Sequence, residues 1–566
     1  MEDTSKRFCS LLFDILEQKG IKDIVCSPGS RNVPLLMAAA SRESLKKHFV
    51  VDERSAAFVG LGLSIVSKRP VVLICTSGSA LLDYAPAIAE AYYQSIPLIV
   101  VSADRPIQWI DQDDSQTIRQ DGALDNYVKK SYSIPAYGED NKELLWYVNR
   151  VVNDAISSAC SWKKGPVHIN VHLSEPLEGK IQKSQNTQRI INSIEADSIG
   201  NKETIRNLAQ TLADSKVMLV AGFIQPDSKL QKSITEFSRF KNVTVMAETI
   251  SNLHLKAEDY CVDTVLTAYS ETNLDEISPD IIISIGGALI SRKLKEYLRR
   301  NVGKCQHWAV GFSHTTTDPF MSLDLKIEVE PARFFKNLTG ALKKIKLAES
   351  KSEFQSAWSQ RKKDASKVKD AYIENVEWSE LKAFDFILKN ISSDCNLFLS
   401  NGTAIRYAQI INYPLPHASY CNRGVSGIDG SVSTAIGGAS GFGGKTLLIT
   451  GDLSLAYDIG SLALKDIPDS FKIIVIDNRG GGIFRFIPST SNLPEREEYL
   501  CQPPLLPLKE LAKGYNWNFY ECDSSNSLKN VFTDFLNSKK KSILKVTCPA
   551  ERSAEILKTY MKIKVD

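Results

Sequence analysis

The stretch TLLITGDLSLAYDIGSLALKDIPDSFKIIVIDNRGGG (446–482) carries the most chemistry in the chain. Asp452 directly follows one apolar strand-like run and Asn478 directly follows another, with a helical pattern between them. A right-handed crossover of this kind brings both side chains to the same edge of a parallel sheet. A carboxylate, an amide oxygen and a backbone carbonyl just after Asn478, at Gly480, make half a shell of hard oxygens. Mg²⁺ takes about six such ligands and favours a substrate diphosphate and water for the rest. Gly451 and the run Gly480–Gly482 would let backbone approach a diphosphate closely. Either half alone is also what an ordinary strand-ending turn looks like; the two together at this spacing point to a metal-diphosphate site.

A second acid stands out in VVDERSAAFVGLGLSIV, where Glu53 follows the run HFVVD and opens a helical pattern. An acid in a first helical turn is favoured by the helix dipole alone, so the position has a structural reading beside a functional one. Cationic residues recur near expected strand ends and helix starts: Arg31, Arg105, Arg292, Lys293, Arg406 and Arg423. Planar guanidinium groups hold carboxylates bidentately. None of the seven histidines adjoins another. His168 and His172, four apart in the strand-like GPVHINVHL, face the same side of a sheet, which suits a structural role better than metal binding. The segment Ala439–Thr446 nearly matches a phosphate-cradling loop. The small-residue helical pattern precedes it and the strand TLLIT follows, the reverse of the order that would aim a helix N-terminus at phosphates. A glycine C-cap and turn is the better reading.

The elements that must position these groups are parallel sheets. Up to about residue 175, the apolar runs DIVCS, HFVVD, PVVLICT, PLIVVSA and GPVHINV alternate with amphipathic helical patterns. Continuous apolar strands of this kind belong to sheets covered on both faces. A polar stretch from Gly179 to about Lys202 reads as a linker. A second unit runs from KVMLVAG through VTVMAET, IIISIGG and HWAVGF to LKIEVE, and a charged stretch near Lys346–Lys369 reads as a helical linker. NLFLS, ASYCN, TLLIT, KIIVID and SILKVTC make a third. The expectation is α/β, three doubly wound domains over 1–178, 200–345 and 375–566. At 566 residues and a net charge of +3, the chain has no global field for nucleic acid or anionic membrane. No apolar run approaches the ~18 residues that span a bilayer. The N-terminus reads as an amphipathic core helix, and eleven cysteines without a C-x-x-C pair read as core thiols of a reduced, cytoplasmic protein without structural zinc.

The 446–482 stretch resembles the thiamin diphosphate motif, Gly-Asp-Gly followed downstream by Asn-Asn, with Leu453 in place of the last Gly and Asp477 before Asn478. CSPGSRNVPL (26–35), TSGSALLDYAPAIAEA (76–91), SADRP (102–106), SQTIRQ (115–120) and NRGVSGIDG (422–430) closely resemble the MenD family of thiamin diphosphate enzymes; the resemblance is weaker in the middle unit, where GGALISRK (286–293) is its main anchor. The resemblance implies decarboxylation of 2-oxoglutarate and conjugate addition of the succinyl-carbanion equivalent to isochorismate, within menaquinone biosynthesis. It implies thiamin diphosphate with Mg²⁺ or Mn²⁺, the metal held by Asp452, Asn478 and Gly480. It makes Glu53 the catalytic carboxylate on the cofactor's aminopyrimidine ring. Ser77, Gly78, Ile428, Gly451, Leu453, Ser454, Ile483 and Phe484 join Glu53 and the metal ligands around the cofactor, Ile428 bracing it between its two rings. Ser30, Arg31, Arg105, Gln116, Arg292, Lys293, Arg406 and Arg423 are the implied substrate residues, suited to two substrates that together bring four carboxylates. In the family this site lies between the first domain of one subunit and the third domain of its partner, which implies a homodimer or homotetramer.

Three positions depart from the family pattern: Gly402 where a Ser is expected, Ser115 where an Asn often precedes the glutamine, and Arg292-Lys293 in reversed order. Two rival readings stand beside the main one: another carboligating or decarboxylating thiamin diphosphate enzyme acting on a 2-oxo acid, and a catalytically silent binding protein of the same fold. The tandem His pair of aldehyde-releasing relatives is absent. Retention of Glu53, Asp452 and Asn478 together argues against the silent protein.

Overall fold

The computed structural model describes residues 6–136, 142–177, 188–193, 201–347, 353–411 and 418–565. Most of the Gly179–Lys202 linker therefore lies outside the described residues. Three sheets, parallel throughout, organise the chain. The first contains β1 (Asp23–Cys26), β2 (Lys46–Phe49), β3 (Val71–Cys75), β4 (Leu98–Asp104), β5 (Ser131–Ile134) and β6 (Val167–His172), in the order β2-β1-β3-β4-β6-β5. The second contains β7 (Val217–Ala221), β8 (Val243–Ala247), β9 (Ile281–Ile285), β10 (Gln306–Val310) and β11 (Leu323–Ile327), ordered β11-β10-β9-β7-β8. The third contains β12 (Asn396–Leu399), β13 (Ala418–Tyr420), β14 (Thr446–Gly451), β15 (Phe471–Asp477), β16 (Asn518–Cys522) and β17 (Ser542–Thr547), ordered β13-β12-β14-β15-β17-β16.

The first and third sheets share one strand order, and in both the direction of winding reverses between the first and third strands in sequence. Ligands of open α/β sheets bind at such a reversal, beyond the carboxyl ends of the strands. In the first sheet that point lies between the ends of β1 and β3, just before Ser30-Arg31 and Ser77-Gly78. In the third it lies between the ends of β12 and β14, where Asp452 begins.

Burial explains why these segments are strands. β1, β3, β4, β6, β7, β8 and β12 are buried at every position, so their near-continuous apolar runs are what a two-sided sheet requires. β5 and β16 escape a pattern search for the opposite reason. Both are edge strands of mixed polarity (SYSI and NFYEC) and are largely half-exposed. Two expected runs shift as well. Pairing of β2 with β1 ends at Phe49, where the Val50 N–H makes the last bond to the Cys26 carbonyl, so Val51 and Asp52 of HFVVD leave the ladder before the helix begins. β11 starts at Leu323, two residues ahead of LKIEVE. The charged stretch near Lys346–Lys369 is mostly the first part of a helix, Phe354–Asn375, with a buried face of Phe354, Trp358, Lys362, Ala365, Lys369 and Ile373. Its two buried lysines donate to backbone carbonyls, Lys362 to Val245 and Lys369 to Ile411.

Two compact units result. One comprises residues 1–195, 422–446 and 457–471; the other comprises 196–421, 447–456 and 472–566. In the first, helix Glu53–Ser67 packs against helix Ser431–Phe442 at near-backbone contact. A Cβ on Gly62 would lie 1.9 Å from the Thr434 carbonyl oxygen, and one on Gly437 would lie 2.0 Å from that of Val59. The small residues of SVSTAIGGASGF serve this crossing. The helix ends on Gly443 at φ 70°, a left-handed cap, before β14, so the Ala439–Thr446 segment runs helix, turn, strand. In the second unit the long helix 354–375 packs Trp358 among the central-sheet residues and Ile373 among those of the third sheet. No helix among the described residues is long and apolar enough to cross a membrane.

Candidate active site

Glu53 is the first residue of its helix, which Asp52 caps by accepting the N–H of Arg54. A helix N-terminus alone would lower the pKa of an acid. Here it is raised, mainly by burial, with the neighbouring charges of Asp83 and Asp52 adding to the effect. The carboxyl is thus disposed to hold a proton more readily than a surface acid does, as a proton-shuttling group requires.

Around the ends of β1, β3 and β4 the same unit gathers Arg31, Arg105, Gln116, Ser77 and Gly78. Arg31 is buried, donates to the Leu173 carbonyl at 3.0 Å and pairs with Glu175 at 3.0 Å. Burial lowers its pKa, the charge of Arg105 lowers it further, and Glu175 and Asp114 work the other way. Arg105 pairs with Asp114 at 2.7 Å and donates twice to the Ser115 carbonyl. Position 115 is therefore held through its backbone, which explains how Ser can stand there. Gln116 adopts φ 58° and donates through Nε2 to the Ser77 carbonyl at 3.1 Å. Ser30 is exposed beside this group.

A buried polar chain fixes that arrangement, and it uses residues the motif search did not single out. The Gly78 N–H donates to Gln120 Oε1 at 2.8 Å; Gln120 Nε2 donates to the Ala103 carbonyl and to Asn170 Oδ1. Asn170 Nδ2 in turn donates to Asp104 at 2.8 Å and Asp121 at 2.9 Å. His172 bonds the Arg105 carbonyl, Ser133 and Asp121, while His168 bonds Ser102 at 2.7 Å. Both histidines thus serve as struts in this network. The only sequence signal for Gln120 was its place at the end of SQTIRQ.

In the second unit, Asp452 follows β14 and Asn478 follows β15, both buried. Asp452 Oδ1 accepts the N–H of Leu453 at 2.8 Å and Oδ2 that of Gly480 at 2.7 Å. Burial still pushes this carboxyl up to about 6, against those two backbone donors. Glu380, at the start of helix Glu380–Asn390, is the unforeseen member of the site. It is buried, its Oε2 has no hydrogen-bond partner, and burial raises it to about 7; Asn478 and Thr403 oppose that shift and the charge of Asp452 adds to it. Two buried carboxyls beside an amide and the turn's backbone carbonyls form a donor set that fits a hard divalent cation. Among the described residues no three His, Cys, Asp or Glu side chains converge for a metal, so amide and carbonyl oxygens and a ligand's own oxygens would have to complete the shell. Arg485, itself buried, donates to the carbonyls of Asn478 at 3.0 Å and Gly480 at 2.9 Å and is tied to Glu497 at 2.8 Å.

Two glycines of the run are required by the chain's own packing. A Cβ on Gly480 would meet the Gln502 carbonyl oxygen at 2.3 Å, and one on Gly481 that of Leu500 at 2.4 Å. Close approach of the chain's own 500–503 segment, with φ of 71° and 59°, accounts for these two glycines. Gly451 is the one with open space, since a Cβ there meets nothing within 4 Å. Ser454 is buried, and Ile483 and Phe484 are half-buried in the short turn Gly482–Arg485.

The remaining cationic residues separate by exposure. Arg292 is 77% exposed and pairs with Glu296 one turn on. Lys293 faces inward, where burial lowers its pKa and Asp263 counters. Asp263 is half-buried, accepts from Ser291 at 2.8 Å and feels both Lys293 and Arg406. Glu248, also buried, accepts the N–H groups of Ile290 at 2.6 Å and Ser291 at 2.7 Å, fixing the start of helix Arg292–Arg300. Arg406 donates to the Gly402 carbonyl. Gly402 itself sits at φ 89°, a conformation in which glycine is unstrained and serine is not. Arg423 and Ile428 lie on the 422–430 loop, which belongs to the first unit; Ile428 is 37% exposed.

The family model for the thiamine pyrophosphate enzyme N-terminal TPP-binding domain matches residues 6–124. The chain is 38% identical to the 2-succinyl-5-enolpyruvyl-6-hydroxy-3-cyclohexene-1-carboxylate synthase of Porphyromonas gingivalis, over 98% of this chain and 97% of that protein. It is 35% identical to the enzyme of the same name from Flavobacterium johnsoniae and 37% to that from Flavobacterium psychrophilum, each over 97% of this chain and 98% of the relative.

Proposed function

Since this chain belongs to the 2-succinyl-5-enolpyruvyl-6-hydroxy-3-cyclohexene-1-carboxylate synthase family, we propose that it decarboxylates 2-oxoglutarate and joins the succinyl unit to isochorismate. The observation that carries the chemistry is the buried oxygen set at the ends of β14 and β15. Asp452, Asn478 and the Gly480 carbonyl would hold Mg²⁺ or Mn²⁺ there, with Gly451, Leu453, Ser454, Ile483 and Phe484 beside the diphosphate. Bound thiamin diphosphate would supply the electron sink that decarboxylation of a 2-oxo acid needs.

The chain's own residues do the rest. Glu53 would hold and release a proton at its carboxylate, the role that control of a bound aminopyrimidine's protonation needs. Ser77 and Gly78 border the cofactor, their turn held by Gln120 and Gln116. Ile428 braces it. Arg31, Arg105, Lys293, Arg406 and Arg423, with Ser30 and Gln116, bind and orient the substrate carboxylates. Arg292, turned to solvent, contributes least.

The proposed organisation is three domains, 1–178, 200–345 and 375–566, in a homodimer or homotetramer. Self-association is supported by apolar side chains left exposed close in sequence to Glu53 and Gly78: Phe49 is 63% exposed, Val51 76% and Leu82 48%. A cytoplasmic location goes with this reading, since every cysteine but Cys160 is a buried free thiol.

The test is to supply purified protein with Mg²⁺, thiamin diphosphate, 2-oxoglutarate and isochorismate, and to identify products by mass spectrometry. The adduct is expected. Succinate semialdehyde alone would favour a simple decarboxylase, and no consumption of 2-oxoglutarate would favour the silent binding protein.

A further inference from the structure

Within the first unit, Glu90 has a bonding pattern that no motif accounts for. It lies on helix Ala85–Gln94, among alanines, and only 2% of it is exposed. A lone buried carboxylate is costly unless its oxygens are fully bonded. The bonding comes from a loop distant in sequence: Gly424 N–H donates to Oε1 at 2.6 Å and Val425 N–H to Oε2 at 2.6 Å. Gln94, one turn along the same helix, donates to Oε1 as well. The fit leaves no room for a side chain at position 424, where a Cβ would stand 2.7 Å from the Glu90 carbonyl oxygen and 3.0 Å from its Oε1.

The loop so held is NRGVSGIDG. Its base is tied by Asn422 Nδ2 to Thr434 at 3.1 Å. Its far end turns at Gly430, φ 63°, against the ring of Phe58. Between these points it does not pack into a core: Val425 is 53% exposed and Ile428 37%. Ser426 takes φ 67°, a left-handed conformation that a serine keeps only where surrounding contacts enforce it. A loop without core packing is normally mobile. Here one carboxylate substitutes for the missing core, gripping two consecutive amides that flank Arg423 on one side and Ile428 on the other.

We propose that Glu90 is a positioning residue that fixes the 422–430 loop, so that Arg423 and Ile428 stand ready for substrate and cofactor. The carboxylate accepts two backbone N–H groups in fixed register, one on each oxygen, and an amide of that size has only one acceptor oxygen to offer. A glutamine presents one acceptor oxygen and one NH₂ group, and the latter would face an N–H donor. The proposal rests on the functional reading above for the roles of Arg423 and Ile428, but the grip itself does not.

The experiment has two arms. In the first, Glu90→Gln and Glu90→Asp are compared with wild type in the intact protein for thermal unfolding, Mg²⁺-thiamin diphosphate affinity by calorimetry, and kcat and KM. The expectation for Glu90→Gln is a cofactor affinity and a substrate KM each at least ten-fold worse, with kcat at saturation within about three-fold. Glu90→Asp, which keeps the charge, should recover part of the loss. Wild-type affinity and KM in a folded Glu90→Gln protein would overturn the proposal, as would a fall in kcat with KM untouched.

The second arm stays with wild type and needs no variant to fold. Hydrogen exchange should find the amides of Gly424 and Val425 slowed at least a hundred-fold relative to unprotected loop amides. Exchange at the unprotected rate would overturn the grip whatever the protein's activity. If wild type neither binds thiamin diphosphate nor turns over substrate, the functional reading falls, while amide protection still decides whether Glu90 grips the loop.

Discussion

Asp452 Oδ2 accepts the N–H of Gly480 at 2.7 Å, joining the residue that begins after β14 to the turn that follows β15. Through this bond the carboxylate, Asn478 and the Gly480 carbonyl become one rigid set instead of two independent turns. The bond also exposes the set's weakness: with only backbone donors as partners, a buried carboxylate is left short of positive charge.

Replacing Asp452 by Asn removes that charge and sets an NH₂ group against the donors of Gly480 or Leu453. The expected result is a folded protein that loses divalent-metal-dependent retention of thiamin diphosphate by about 100-fold, since one buried charged contact is worth a few kcal/mol. Cofactor content after desalting, with and without Mn²⁺, measures it. Retention equal to wild type would remove Asp452 from the metal set.

Glu53→Gln should leave cofactor affinity within a few-fold and lower turnover by about 10²–10⁴-fold, the usual worth of a positioned acid–base group. Single-turnover kinetics with saturating cofactor separates the two effects. Full activity would end the catalytic assignment.

Arg292 and Lys293 are neighbours with opposite surroundings, the first paired with Glu296 in solvent and the second turned toward Asp263. Lys293→Ala should raise the KM for a carboxylate substrate by about ten-fold or more, the scale of a charge-assisted hydrogen bond. Arg292→Ala should change it by less than about three-fold, as for an exposed pair. Equal effects would contradict the orientation described.

The His172–Asp121 pair sets a pH window for the first unit. Its hydrogen bond to His172 is the main reason Asp121 is depressed to about 2. For His172, burial opposes the charged form, but Asp121, the Arg105 carbonyl and Asp104 outweigh it and raise the pKa. A depressed acid stabilises above its unfolded value, ~3.9, and loses that contribution as pH falls toward 2; a raised histidine stabilises fully below ~6.5 and loses its contribution as pH rises through the folded value. The pair therefore contributes most between about pH 4 and 6.5. Thermal unfolding of wild type should fall from pH 6 to pH 8 more steeply than that of His172→Gln; parallel curves would show that the pair does not control it.

Gly62→Val would drive a branched side chain into the Thr434 carbonyl at the crossing of helices 53–67 and 431–442. Overpacking at a backbone contact should destabilise the first unit by about 2 kcal/mol or more, read as a lower urea midpoint. An unchanged midpoint would mean that the helices can move apart without cost.

What the sequence by itself determined is the set of features that depend on local pattern. Apolar runs without alternation marked most strands of the three sheets, because a strand buried on both faces must be apolar throughout. Residues at the ends of those runs, Glu53, Asp452 and Asn478 among them, were legible because the ligand-binding edge of such a sheet is its carboxyl edge. Only the tertiary structure decided what depends on neighbours distant in sequence. It brought Glu380 to Asn478 and Asp452, Glu248 to the start of the Arg292 helix, Glu90 to Gly424 and Val425, and Gln120 and Asn170 to the Gly78 turn. It assigned Gly480 and Gly481 to the passage of residues 500–503, and it turned Lys293 inward and Arg292 outward, which their adjacency in the chain could not decide. These are buried polar contacts, and a buried polar group acquires its meaning from the partner that folding supplies.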